Sequence, residues 1–161
     1  RFHLKLLTRE LYDLPRLFQS GEVDYMILDQ VYQKQGIEHH ALGTEINVLV
    51  QKRGYAGEDI YLDHDEEDPT TRQFLRQRNP RRLFLNDIYG ILDGVRMGLG
   101  KAVVPLHLIE KDSGIEILDS KKQSSSPVVL HFYEQAFYPK SHTEIVETLK
   151  RQVPLRLKSE R

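Results

Sequence analysis

Apolar residues along this chain come in two kinds of run, short stretches of two to six that suit strands and longer stretches at helical spacing. Phe2 to Leu7 is a short apolar run with polar interruptions and predicts a strand, with Thr8, Arg9 and Glu10 as the loop after it. Asp13 is a good N-cap and Pro15 suits a first helical turn, so Leu14, Leu17 and Phe18 predict a short helix that Gly21 ends. Val23 to Leu28 reads as a buried strand, and the strand–helix–strand order implies a parallel pair with a right-handed crossover. Ile46 to Val50 and Ile60 to Leu62 predict two further strands, separated by the breaks at Gly54 and Gly57.

Asp68-Pro69 has the form of a helix start, and Arg81 to Leu85 reads as another strand. Asn86 or Asp87 then caps the clearest helix, in which Ile88, Ile91, Leu92, Val95 and Leu99 keep helical spacing until Gly98 and Gly100 stop it. Ala102 to Val104 predicts a buried strand, and Pro105 opens a short helical turn holding Leu106 and Ile109. Ile115 to Leu118 and Val128 to Tyr133 are the last strands, with Ser124 to Pro127 as a polar loop between them. Ser141 with Glu144 has the form of a capping box for a final helix whose stripe is Ile145, Val146, Leu149 and Val153. The polar tail after Leu157 is expected to fray. Strands alternating with helices predict an α/β protein with mainly parallel sheets.

Composition narrows the function classes. The 161 residues carry a formal net charge of -1, with both signs dispersed, which argues against a free-standing nucleic-acid binder. No cysteine is present, so disulfide, thiolate and lipidated-cysteine chemistry are excluded. No apolar run approaches the roughly 20 residues that span a bilayer. The opening residues lack the pattern of a signal peptide, and a cytoplasmic protein is the expectation. Arg1 runs straight into a strand-like segment, so the chain reads as a piece whose amino-terminal part lies elsewhere.

Several motifs invite chemistry. Gly98-Leu99-Gly100-Lys101 falls short of a phosphate loop, because Val95 and Ala102 stand at its required positions and the helix precedes the glycines. The run Asp63 to Asp68 lacks the glycine and glutamate of a calcium loop, with Asp68 and Phe74 in those places, and reads as a solvated entry to a helix. The seven histidines have no metal-ligand spacing; His39 and His40 would point to opposite faces of a strand. No metal or cofactor is expected. No G-x-S-x-G elbow exists, and an enzyme such as a small lyase would need His64 and Asp87 brought together. Arg72, Arg76, Arg78, Arg81 and Arg82 form a basic cluster whose favoured reading is a solvated or subunit-contacting face. The turn Leu85-Asn86-Asp87-Ile88 is the sharpest candidate, because helix amino termini beyond strand ends are where open α/β sheets bind ligands. Plain capping by Asn86 or Asp87 uses the same unpaired donors equally well.

The order Leu83-Phe84-Leu85-Asn86-Asp87, then Gly94 through Gly98-Leu99-Gly100 to Val103-Val104-Pro105, resembles the effector-binding domain of LysR-type transcription regulators. Leu17 to Ile27, holding Gly21 and Asp24, is similar to that family's helix-to-strand passage. The resemblance covers nearly the whole chain. It implies two Rossmann-like lobes joined by two crossover strands, a type 2 periplasmic-binding-protein-like fold. Residues 1–52 and 128–161 would form the first lobe, lacking its first strand and helix, and 53–127 the second. It also implies a small-molecule effector held between the lobes by Thr8, Arg9, Asp29, His64, Asn86, Asp87 and Ile88. The partners would be that effector, a second or further copies in a homodimer or homotetramer, and DNA only through a missing winged helix-turn-helix domain. Many relatives carry Ser or Thr where Asn86 and Asp87 stand, and an Asp there disfavours an anionic effector unless Arg9 offsets it. A solute-binding transport protein on the same fold is the alternative.

Overall fold

The computed structural model describes residues 3–157. Among them the chain forms α1 (Leu14–Gln19), β1 (Tyr25–Leu28), β2 (Ile37–Lys52), β3 (Tyr61–Asp63), α2 (Thr70–Leu75), β4 (Arg82–Phe84) and α3 (Ile88–Met97). Then come β5 (Lys101–Pro105), a short 3-10 turn at Leu106–Leu108, β6 (Ile115–Ile117), β7 (Gln123–Tyr133) and α4 (Lys140–Leu157). The described residues divide into two compact units: 3–45 together with 126–157, and 46–125. It passes from one unit to the other twice, inside β2 and inside β7.

In the first unit β1 runs antiparallel to β7, with Tyr25 opposite Phe132, Met26 opposite His131 and Leu28 opposite Val129. Alternation then sorts side chains onto two faces. Met26 and Leu28 pack with Phe18 of α1 on one face. Leu130 and Phe132 pack with Leu42 and with Val146 of α4 on the other. The end of α4 comes down on Gly43, where an added Cβ would lie 2.9 Å from the Leu157 side chain. Pro154 sits inside that same helix.

In the second unit the later part of β2 pairs antiparallel with β5, Asn47 opposite Pro105 and Val50 opposite Ala102. It pairs antiparallel with β6 through Val50 to Lys52. β3 is parallel to both β4 and β5. Val48, Val50, Leu62, Ala102 and Val104 from the sheet close over Ile91, Leu92 and Val95 of α3. Gly98 ends α3 with a φ of 80°, its N–H bonded to carbonyls of the last turn. Gly100 then runs against β3: a Cβ there would stand 2.6 Å from the Ile60 carbonyl oxygen. The glycine pair serves helix termination and close backbone approach.

The mixed α/β architecture agrees with expectation, while several local readings do not. The sheet is not mainly parallel: β1–β7, β2–β5 and β2–β6 are antiparallel. Residues 3–7 form no strand, so no parallel crossover pair with β1 exists; Phe2 lies outside the described residues. Leu4 and Leu6 are 73% and 87% exposed, which shows that alternation without a pairing edge and a buried face does not make a strand. β2 begins nine residues before Ile46, and Ser124 to Pro127 lie within β7, because long-range pairing outweighs weak local preference there. α4 starts at Lys140, so Ser141 is inside the helix and not its cap; the Pro139 carbonyl accepts from the His142 and Thr143 N–H groups. Asp13 holds the cap position of α1 without a side-chain cap bond. The tail beyond Leu157 is also outside the described residues.

Gly100→Ala should cost about 1–3 kcal/mol of stability, because the methyl meets backbone that the Lys101 N–H also uses. Denaturant unfolding that moved by less than about 0.5 kcal/mol would contradict this close approach.

Candidate functional site

The parallel pairing of β3 and β4 puts Asp63 opposite Phe84, and the Leu85 N–H bonds the Asp63 carbonyl at 2.8 Å. The residues that follow, His64 and Asn86-Asp87-Ile88, therefore leave the sheet at adjacent strand carboxyl ends. This edge is extended by Pro105 at the end of β5 and by Asn47 beside it, a polar side chain only 7% exposed. Asp87 is the N-cap of α3: its backbone is extended and its Oδ2 accepts from the Gly90 N–H at 2.9 Å. Asn86 is exposed and is not the cap. The two residues that sequence could not separate thus take different roles.

His64 is held through the backbone by a buried ion pair. Arg82 donates to the Asp63 carboxylate at 3.1 Å, and the two side chains are 11% and 4% exposed. The same guanidinium donates to the carbonyls of Asp65, Glu66 and Asp68, and it lies 5.0 Å from the Phe84 ring centre. The acidic run is therefore wrapped around a cation, not simply solvated. Asp65 adds a turn by accepting from the Glu67 and Asp68 N–H groups. Burial pushes the Asp63 carboxyl up, with Arg82 pulling against it. Arg82 departs from the reading of the arginines as an outer face; only the fork geometry of arginine meets one carboxylate and three carbonyls at once. No group of three or more metal-ligand side chains occurs among the described residues.

The remaining expected residues belong to the first unit. Asp29 directly follows β1 and is exposed. Thr8 and Arg9 are exposed on irregular chain and follow no strand; the Arg9 guanidinium bonds the Thr8 carbonyl at 2.8 Å. The loop carrying Asp29 is tied down at Tyr32, whose N–H donates to His131 Nε2 at 2.9 Å. That bond places the ring proton on Nδ1, and burial pushes the His131 pKa down. Sequence reasoning missed Arg82, Asn47 and His131. Asn47 had a signal, as the polar residue inside an apolar run; the other two had none, since charge and histidine content do not reveal burial.

Arg82→Met should destabilise the fold by about 3–5 kcal/mol, because it strands a buried carboxylate. Adding Asp63→Asn should recover part of that loss, so that the double variant is less than the sum of the singles. Strict additivity in urea unfolding would show that the pair is not coupled.

Acid should also weaken the fold. His131 and His142 both have their pKa lowered by burial, so the unfolded chain takes up their protons first. Stability is full above the ordinary value of about 6.5 and falls as pH drops through it towards the lowered folded values. Melting temperatures from about pH 8 to about pH 5 should decline, less steeply in His131→Asn; a flat profile would contradict the burial of neutral rings.

No protein-family model and no curated protein matches the sequence. Solved structures do match its fold. LysG of Corynebacterium glutamicum, a full-length LysR-type regulator with bound effector Arg, superposes with a TM-score of 0.75 at 15% identity, over 93% of this chain and 58% of that one. ArgP of Mycobacterium tuberculosis gives 0.78 at 15% identity, over 92% and 58%. The C-terminal domains of a LysR family protein from Agrobacterium tumefaciens give 0.73 at 14% identity, over 92% and 79%. The chain thus spans 58% of the length of the first and of ArgP. Regulatory domains of OxyR and HypT also match. The chain has the fold of the regulatory domains of LysR-type regulators, the type 2 periplasmic-binding-protein-like fold.

Proposed function

We propose that this chain is the ligand-sensing regulatory domain of a LysR-type transcriptional regulator. The observation that carries the reading is a fold match over 92–93% of the chain to regulators, one of them with an effector bound. The matching OxyR and HypT structures are likewise regulatory domains. Effector contacts come from Asp29 after β1 with Thr8 and Arg9 on the irregular chain of the same unit, and from His64, Asn86, Asp87 and Ile88 at the strand ends of the other. Asn86 is the polar group of its turn that capping leaves free for a ligand, whereas Asp87 already serves Gly90. Carboxylates at Asp29 and Asp87 suit an effector with a positively charged group better than an anion. Uptake would shift the balance of conformations or subunit packing in a homodimer or homotetramer, and so reach a DNA-binding domain elsewhere in the cytoplasmic protein.

Thermal melting against a panel of amino acids and amines tests this reading. At least one compound should raise the melting temperature, and Asn86→Ala should abolish that rise without changing the melting of the free protein. Asp87→Ala should also lose the rise, starting from a protein weakened by about 1 kcal/mol through its lost cap. Ligand-induced shifts that persist unchanged in both variants would remove this turn from the site.

A further inference from the structure

The first unit contains a cavity of about 350 Å³ at the start of β1, the end of β7 and the start of α4. Its size falls within the usual range for small ligands, roughly 300–1,000 Å³. Phe132 and His142, 3% and 8% exposed, are among its lining residues, as are Tyr25, Tyr133, Gln135 and Asp24. We propose that this cavity is a binding site for a small organic cation, a protonated amine on a compact apolar body, recognised by Asp24 and the faces of the surrounding rings. The site is independent of the turns after the strands: Asp24 and Tyr25 open β1, whereas Asp29 follows its far end.

Charge decides the ligand class. Among the described residues Asp24 is the only lining residue with a carboxylate and no lysine or arginine lines the cavity, while His3 and His142 are its two histidines. No hydrogen bond or ion pair engages Asp24 among the described residues, although its charge reaches the Tyr25 phenol. Burial, with Asp24 adding to it, pushes that phenol up and keeps it neutral. Burial pushes His142 down, so its ring supplies no cation at neutral pH. Nearby Lys140 pairs with Glu144. The amino end of α4 carries only about half a unit of positive charge, less than Asp24 offsets. Its His142 and Thr143 amides are already turned to the Pro139 carbonyl, which leaves an anion without those donors.

The rings are held in place before any ligand arrives. Tyr25 Oη and His142 Nδ1 are 2.9 Å apart. Phe132 meets the His142 ring edge-on at 4.6 Å and the Tyr25 ring at 6.2 Å. Tyr138 stacks on His142 at 4.2 Å and donates to Glu38 at 2.6 Å, setting a second carboxylate behind the rings. A cation over such fixed aromatic faces gains from their negative quadrupoles and costs little ordering.

Titration of the whole chain with phenethylammonium chloride, read by NMR, tests the site. Saturable shifts of the Tyr25 and His142 signals are expected with the amine and none with 3-phenylpropionate. Asp24→Asn, at an exposed position, should weaken amine binding at least tenfold, while Asn86→Ala leaves it unchanged. No saturable shift at His142, equal binding of the carboxylate, or unaltered affinity in Asp24→Asn would each overturn the proposal.

Discussion

Neither unit can complete its sheet without a strand that continues into the other. β2 must alternate correctly for sixteen residues, burying Leu42 in the first unit and Val48 and Val50 in the second. A slip of one residue anywhere along it would turn every later side chain to the wrong face. β7 carries the same obligation in reverse, from its exposed serine-rich start to the buried Val129 to Phe132. Each core is therefore specified partly by residues whose partners lie far away in sequence; the short β6 pairs directly with β2, and β3 and β4 join the sheet through β5.

Around this frame the second unit spends one buried ion pair on ordering a loop. The Asp63–Arg82 pair does not stabilise through charge alone, since burying two ions costs nearly what their attraction returns. Its contribution is positional: three loop carbonyls converge on the same guanidinium, so the run from Asp65 to Asp68 has one available path. His64 leaves the sheet at the head of that path. On the neighbouring strand the Leu85 N–H completes the join, and the helix cap at Asp87 sets where α3 begins.

What could be read from sequence follows from range. α3, its cap at Asn86 or Asp87, its glycine stop and the strand into Pro105 are all decided within a few residues, and their order carried the family resemblance. The turn at Asn86 and Asp87 was legible for the same reason. The extension of β2 back to Ile37 was not, because Glu38, His39 and His40 become strand only through partners far along the chain. Phe2 to Leu7 has the opposite fault: a strand-like pattern whose described residues find no partner. Arg82 looked like one of five arginines on a solvated or subunit-contacting face; the register of β3 and β4 sets it opposite Tyr61, and its guanidinium reaches from there to Asp63.

Pro154 has one more effect on the carboxyl-terminal helix. A proline within a helix has no N–H to offer, so the carbonyl one turn earlier, at Lys150, goes without its usual partner. The last turn of α4 therefore relies on its seat against Gly43 more than on its own ladder of bonds. In hydrogen-exchange terms, this turn should open more cheaply than the helix around the buried Val146.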